Sequence, residues 1–105
     1  MQPGYTFVSK STAKPGKLDD LVRIAGEPPA AMEGVVDGLI GYQVGVDRDR
    51  NTVIVWSTFD SKETLYDYLA SDAARGKHGD ASEMEDIIET FEMFDLTPTA
   101  LGPAA

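Results

Sequence analysis

The strongest constraint on the fold is that the β-prone runs of this chain are apolar at both alternating positions. Successive side chains of a strand point to opposite faces of the sheet, so a sheet with one wet face alternates apolar with polar residues. The run 52–59 reads TVIVWSTF, and it has apolar side chains at both odd-numbered and even-numbered positions. The same is true of the runs 38–47 and 87–96. A sheet of such strands needs cover on both of its faces.

The order of the remaining elements supplies cover for one face only. A strand over 5–12 precedes a helix that begins near Leu18, and a second helix over 61–71 follows the run 52–59. A polar turn at 47–51 predicts that the two runs beside it form an antiparallel hairpin. The order β-α-β-β-α-β predicts an α+β, ferredoxin-like antiparallel sheet with its helices on one face. The other face is predicted to be covered by a second copy of the chain.

Three local signals predict where the helices begin and end. Pro28 and Pro29 are expected to end the first helix and to leave a separate short turn over 29–35, because proline lacks the donor that a helix needs. Asp60 is predicted to cap the second helix, with Glu63 three residues on. The residues 82–85 also have the spacing of a capping box, but the run after them predicts a strand rather than a helix.

Length and composition restrict the class of protein. The 105 residues predict a single domain over 1–105, with an ordered core over about 5–97 and a tail over 98–105. With 18 acidic and 9 basic side chains the formal charge is −9, which disfavours nucleic-acid and anionic membrane partners. No cysteine is present, so disulfides and thiolate metal sites are excluded, and a single histidine predicts no metal site. No secretory leader or apolar run of membrane length is present, which predicts a cytoplasmic protein.

The stretch 59–78 carries the candidate catalytic residues. It leads from a strand end through an amphipathic helix that contains Tyr68 to the only histidine of the chain, His78. Histidine is the side chain whose ordinary pKa lies nearest neutrality, so His78 is a candidate base or a candidate hydrogen-bond donor to a substrate oxygen; the alternative is a solvent-facing histidine in a glycine-flanked loop. Tyr68 is either a hydrogen-bonding partner of a substrate or a core tyrosine.

The first strand carries candidate substrate-binding residues. Phe7, Ser9 and Ser11 share one face by the two-residue period of a strand. Hydroxyl groups on a face that should be apolar predict a pocket lining, and the alternative is an edge strand with one wet face.

Two aromatic residues of the hairpin are further candidates. Trp56, the only tryptophan, is either a wall for an aromatic ligand or an anchor in the core or in a dimer interface. Because it lies three residues before Phe59, the two rings are predicted on opposite faces of the sheet. Tyr42 is a candidate substrate-binding residue on the second strand, with its face left open.

Four segments together resemble one known family. They are the start of the first helix at 14–21, the hairpin 41–59, the strand-to-helix joint 59–63 and the helix end 68–72. In these segments the chain resembles the antibiotic biosynthesis monooxygenase superfamily of dimeric α/β barrels. The resemblance implies a homodimer in which two sheets face each other, with a small-molecule pocket between the sheet and the helices of each subunit.

The resemblance leaves three functions open. The first is a cofactor-independent monooxygenase that acts on a small aromatic, phenolic or enolisable substrate, with His78 as base and Tyr68 and Ser9 as hydrogen-bonding partners. The second is haem binding or degradation. In that branch the pocket uses an asparagine, a tryptophan and a histidine, and Ser9, Tyr68 and His78 occupy the matching positions here. The third is a dimeric ligand-binding or structural domain without catalysis.

Overall fold

A computed structural model of the chain describes residues 2–74 and 81–100. Its four strands form one antiparallel sheet in the order β2-β3-β1-β4, which confirms the predicted α+β, ferredoxin-like fold. None of the described helices is both long and apolar enough to cross a membrane. The elements in chain order are β1 (Tyr5–Ala13), α1 (Leu18–Met32), β2 (Leu39–Asp47), β3 (Thr52–Phe59), α2 (Lys62–Leu69), a single 3-10 turn (Asp72–Ala74), α3 (Ala81–Ile87) and β4 (Ile88–Leu96).

The helices pack on one face of the sheet, which we call the inner face. The register pairs Ser9 of β1 with Val55 of β3 and Ser11 with Val53, so these side chains point to the same side. Val53 and Phe59 are completely buried on this face. The core lies between the inner face and the helices in two clusters, one around Phe59 and α2 and the other around Val53 and α1.

The opposite face, which we call the outer face, carries apolar side chains that no described helix covers. Val8, Trp56 and Phe94 lie side by side across three strands, because the register pairs Val8 with both of the others. Trp56 is 40% exposed, Phe94 is 43% exposed and Leu96 is 45% exposed. The prediction that Trp56 and Phe59 lie on opposite faces is therefore confirmed.

The predicted break in α1 is wrong, since one helix runs through Pro28 and Pro29 to Met32. The two prolines remove two backbone donors from the helix. Pro29 and Met32 are nevertheless buried, and they continue the apolar stripe that begins with Leu21 and Ile24. Packing of this stripe on the sheet outweighs the lost hydrogen bonds, and the break comes only after Met32.

The predicted helix starts also need correction. The cap of α2 is Ser61 rather than Asp60, because the Ser61 hydroxyl accepts a hydrogen bond from the backbone N–H of Thr64 at 3.3 Å. The Asp60 carboxylate accepts from the Thr64 hydroxyl instead. The residues 82–85 lie within a helix, α3, which begins at Ala81 and so before Ser82, and the predicted strand follows it as β4. Ile87 ends this helix and is buried against α1, so burial rather than strand propensity decides its conformation.

Candidate functional site

A cavity of about 350 Å³ lies between the inner face of the sheet and the helices. Its floor is formed by Phe7, Ser9 and Ser11 of β1 together with Val55 and Ser57 of β3. These residues share one face because β1 is a central strand and pairs with β3 in antiparallel register. The volume lies within the range of pockets that bind small molecules.

The roof of the cavity is apolar and comes from the helices. Helix α1 contributes Leu21, Ile24 and Met32, and α2 contributes Leu65 and Leu69. Leu21 and Leu65 are almost completely buried, so the roof is held by the same contacts that stabilise the core. A well-packed roof of this kind keeps the position of the cavity fixed relative to the sheet.

The cavity opens between the end of α2 and the edge strand β4. Phe91 and Met93 of β4 line it and are 52% and 61% exposed, and Leu69 at the end of α2 is 44% exposed. Lining side chains that are also exposed mark the side on which a cavity reaches solvent. A ligand that enters here passes between three apolar side chains.

The only polar side chains among the described residues of the lining are three serines: Ser9, Ser11 and Ser57. The described part of the lining contains no ionisable side chain. A ligand is therefore held by apolar contact and by hydroxyl groups, and a charged ligand would lose its hydration without gaining a counter-ion there.

The structure brings three of the predicted site residues together and places two others elsewhere. Phe7, Ser9 and Ser11 lie side by side on the cavity floor. Tyr68 is buried in the neighbouring cluster around Phe59 and is not a lining residue. Trp56 lies on the outer face, so it is not a wall of this cavity.

Of the remaining two predicted residues, Tyr42 does not line the cavity and His78 lies outside the described residues. Tyr42 faces the same side as its register partner Ser57, but it lies on the edge strand β2, is 37% exposed and does not line the cavity. A hydrogen bond to the Glu33 carboxylate raises the pKa of its hydroxyl. His78 lies outside the described residues, and its role as a base stays a prediction.

Ser57 is the floor residue that the sequence reasoning missed. It stands in the run TVIVWSTF, two residues from Val55 and two from Phe59, which are both buried. The two-residue period of the strand therefore places it on the inner face. Its position beside the floor residue Phe7 follows only from the pairing register of β1 with β3.

A hydrogen-bonded cluster ties α2 to the sheet beside the cavity floor. Asp95 of β4 is the register partner of Phe7, and its Oδ1 accepts from the hydroxyl of Tyr5 at 2.5 Å and from that of Tyr66 at 2.9 Å. The Lys62 Nζ lies 3.6 Å from the other oxygen. Burial, together with the hydrogen bond to Asp95 and its charge, raises the pKa of Tyr5. The hydrogen bonds from Tyr5 and Tyr66, with a smaller contribution from Lys62, lower the pKa of Asp95.

The lowered pKa of Asp95 predicts a specific pH dependence of stability. A carboxyl group with a depressed pKa in the folded state stabilises the fold above its unfolded pKa of about 4, and this stabilisation is lost as pH falls through the folded value. Asp95→Asn should therefore lower the melting temperature at pH 7, and its difference from the unmutated protein should shrink below about pH 4. Thermal melts between pH 3 and 7 measure this. Glu89→Gln makes the same charge change on β4 as a control. A difference from the unmutated protein that is the same at every pH would contradict the prediction.

Comparison with known proteins identifies the fold. No protein-family model matches the chain, and no curated protein matches it in sequence. Solved structures do match over nearly the whole chain. SnoaB from Streptomyces nogalater, described as a cofactor-independent oxygenase, is 16% identical, with 98% of this chain and 100% of that chain covered and a TM-score of 0.74.

Two further structures agree with this match. A "putative antibiotic biosynthesis monooxygenase" from Chloroflexus aurantiacus is 20% identical, with coverages of 94% and 96% and a TM-score of 0.66. The protein SO0527 from Shewanella oneidensis is 22% identical, with 93% of each chain covered and a TM-score of 0.72. At these identities the likeness shows the fold alone: the chain shares the fold of these structures, which is the fold that the resemblance in the sequence implied.

Proposed function

We propose that this protein is a cofactor-independent oxidoreductase of the monooxygenase type, which binds a small aromatic, phenolic or enolisable substrate in the cavity between sheet and helices. The observation that carries the proposal is the lining of the cavity, which is apolar except for the hydroxyls of Ser9, Ser11 and Ser57. The fold shared with SnoaB, described as a cofactor-independent oxygenase, supports it.

In such a reaction the protein itself has to carry out few chemical steps. Once a C–H bond of the substrate is deprotonated, the electron-rich anion itself reduces O2. In the overall reaction a CH2 group becomes a C=O group, one oxygen atom enters the product and the other leaves as water. The protein has to bind the substrate, remove a proton and stabilise the anion. Ser9 stands on the floor as a hydrogen-bonding partner, and His78 is the candidate base.

The test is turnover of anthrone, followed by O2 consumption and by formation of anthraquinone. Ser57→Phe should abolish turnover by filling the cavity, and His78→Ala should lower the rate roughly a hundredfold if the imidazole is the base. Gln43→Ala, on the outer face, is the control and should keep full activity. Binding of the substrate without turnover would favour a non-catalytic ligand-binding domain. Equal turnover in the unmutated protein and in Ser57→Phe would exclude the cavity as the active site.

The haem alternative has less support from the geometry. Of the three positions that the haem-degrading branch uses, Ser9 lines the cavity, Tyr68 lies outside the lining and His78 lies outside the described residues. No contact among the described residues favours haem over an aromatic substrate, so haem enters no step of the proposed reaction.

The quaternary structure that we propose is a homodimer formed by two outer faces, in a soluble protein of the cytoplasm. The apolar row of the half-buried Val8 with the exposed Trp56 and Phe94 supports it, because large contiguous apolar patches on a folded domain mark interaction surfaces. Two copies related by a twofold axis would bury the same patch on both subunits.

A further inference from the structure

Two hydroxyl groups of the cavity floor are buried and make no hydrogen bond within the part of the chain that the structure describes. Ser11 is 4% exposed and Ser57 is 2% exposed, and both line the cavity. Within residues 2–74 and 81–100, neither side chain makes a hydrogen bond. A buried hydroxyl without a partner destabilises a fold, since it loses its hydrogen bonds to water. Alanine at either position would avoid that cost, so the hydroxyls require a reason for their presence.

The pairing register arranges these hydroxyls in a row. Ser9 and Ser11 are two residues apart on β1, which separates them by about 7 Å along the strand. Ser9 pairs with Val55, and Ser57 lies two residues beyond Val55 on β3, in the direction away from Ser11. Ser57, Ser9 and Ser11 therefore follow one another along the floor, with the ends of the row about 13 Å apart along the strands.

The surroundings of the row restrict the charge of what it can bind. The side chains around it are apolar, and the described lining holds no cation or carboxylate. A charged ligand would lose its hydration there and would gain no ion pair. A serine hydroxyl both donates and accepts, so it suits neutral oxygen atoms of either kind, such as a phenol hydroxyl or a ketone.

We propose that Ser11 and Ser57, with Ser9 between them, are specificity-determining residues that hold the oxygen atoms of a neutral ligand, while the apolar body of the ligand fills the rest of the cavity. The proposal rests on the proposed function in taking the cavity as the binding site. It adds the two residues that select the ligand and the neutral charge state in which the ligand binds.

Binding of three probes that share the naphthalene ring tests this selection: naphthalene, 2,6-dihydroxynaphthalene and naphthalene-2-carboxylate, each followed by its own fluorescence. The unmutated protein should bind the diol about tenfold more tightly than naphthalene and should bind the carboxylate most weakly. Ser57→Ala and Ser11→Ala should each weaken diol binding about threefold to tenfold and leave naphthalene binding unchanged. Thr58→Val is the matched control. Its hydroxyl pairs with that of Thr6 at 3.2 Å on the outer face, so it should not change the preference.

Thermal melting without a ligand separates recognition from a structural role. Since the alanine variants remove a buried, unpartnered hydroxyl, they should melt at or above the temperature of the unmutated protein. Alanine variants that melt well below it, or that keep the full preference for the diol, would overturn the inference and leave the cavity as the binding site. Carboxylate binding as tight as diol binding would overturn the neutral charge state. If none of the three probes binds the unmutated protein, the proposed use of the cavity fails as well.

Discussion

Trp56→Asp is expected to convert a homodimer into a folded monomer. Trp56 lies on the outer face beside Val8, and it is 40% exposed in the single chain although its ring is large and apolar. An aspartate at this position would bring two carboxylates into the interface, one from each copy, because a twofold axis repeats every substitution. Dehydrating two like charges without a counter-ion costs more than the apolar contacts of the tryptophan supply.

The favourable free energy of the interface has to exceed the electrostatic repulsion between the two acidic copies. A specific interface buries about 800 Å² on each partner, and the apolar part of this area contributes about 25 cal/mol per Å² before the costs of association. The net charge of −9 on each copy opposes pairing, and salt screens this repulsion.

Sedimentation at micromolar concentration measures the outcome. The unmutated protein should have twice the chain mass of 11.3 kDa, and Trp56→Asp should have the chain mass itself with its circular dichroism retained. Val35→Asp is the control, because Val35 is 58% exposed and follows α1 rather than standing in the sheet, so this variant should remain dimeric. A folded monomer for the unmutated protein would show that the outer face is not an interface between copies.

The sheet was predictable from the sequence because its strands are apolar on both alternating sets. Val53 and Val55 point into the core while Ile54 and Trp56 point to the outer face, and both sets are visible in the run TVIVWSTF. The hairpin turn and the element order then leave few topologies for four strands and two main helices. Periodicity is a local property of the backbone, so it can be read without knowledge of the contacts.

The helix boundaries were less predictable because they depend on packing. Proline disfavours a helix locally, yet α1 continues through Pro28 and Pro29 since Pro29 and Met32 are buried. Capping residues one position apart, Asp60 and Ser61, are both good caps by type, and only the backbone geometry assigns the hydrogen bond to Ser61.

The candidate site was predictable to the extent that it lies on one strand. Phe7, Ser9 and Ser11 follow from the two-residue period of β1, whereas Ser57 required the register between two strands. The contribution of α2 to the site is harder to predict. Leu65 and Tyr68 are both buried on α2, but only Leu65 also lines the cavity. The position of the whole helix on the sheet decides which part of its buried stripe contacts the cavity. A local sequence pattern does not contain this position.

Phe59→Ala is expected to cost about 3–5 kcal/mol of unfolding free energy. Phe59 is 0% exposed and stands where β3 leads into α2. Its ring packs against Tyr5, with ring centroids 6.0 Å apart, and it belongs to the cluster that holds Leu65 and Tyr68 of α2. Removing it takes away apolar burial and leaves a void that the sheet cannot close.

Phe91→Ala is the matched control, because Phe91 also lines the cavity but is 52% exposed at its mouth. It should cost about 1 kcal/mol or less, since about half of the side chain is already in contact with water. Urea denaturation at one fixed protein concentration measures both values, as the stability of a dimer depends on concentration. Equal losses for the two variants would mean that the junction of β3 and α2 is not the centre of the core. A large loss for Phe59→Ala alone would show that the cluster at the junction of β3 and α2 stabilises the fold far more than the side chains at the mouth of the cavity do.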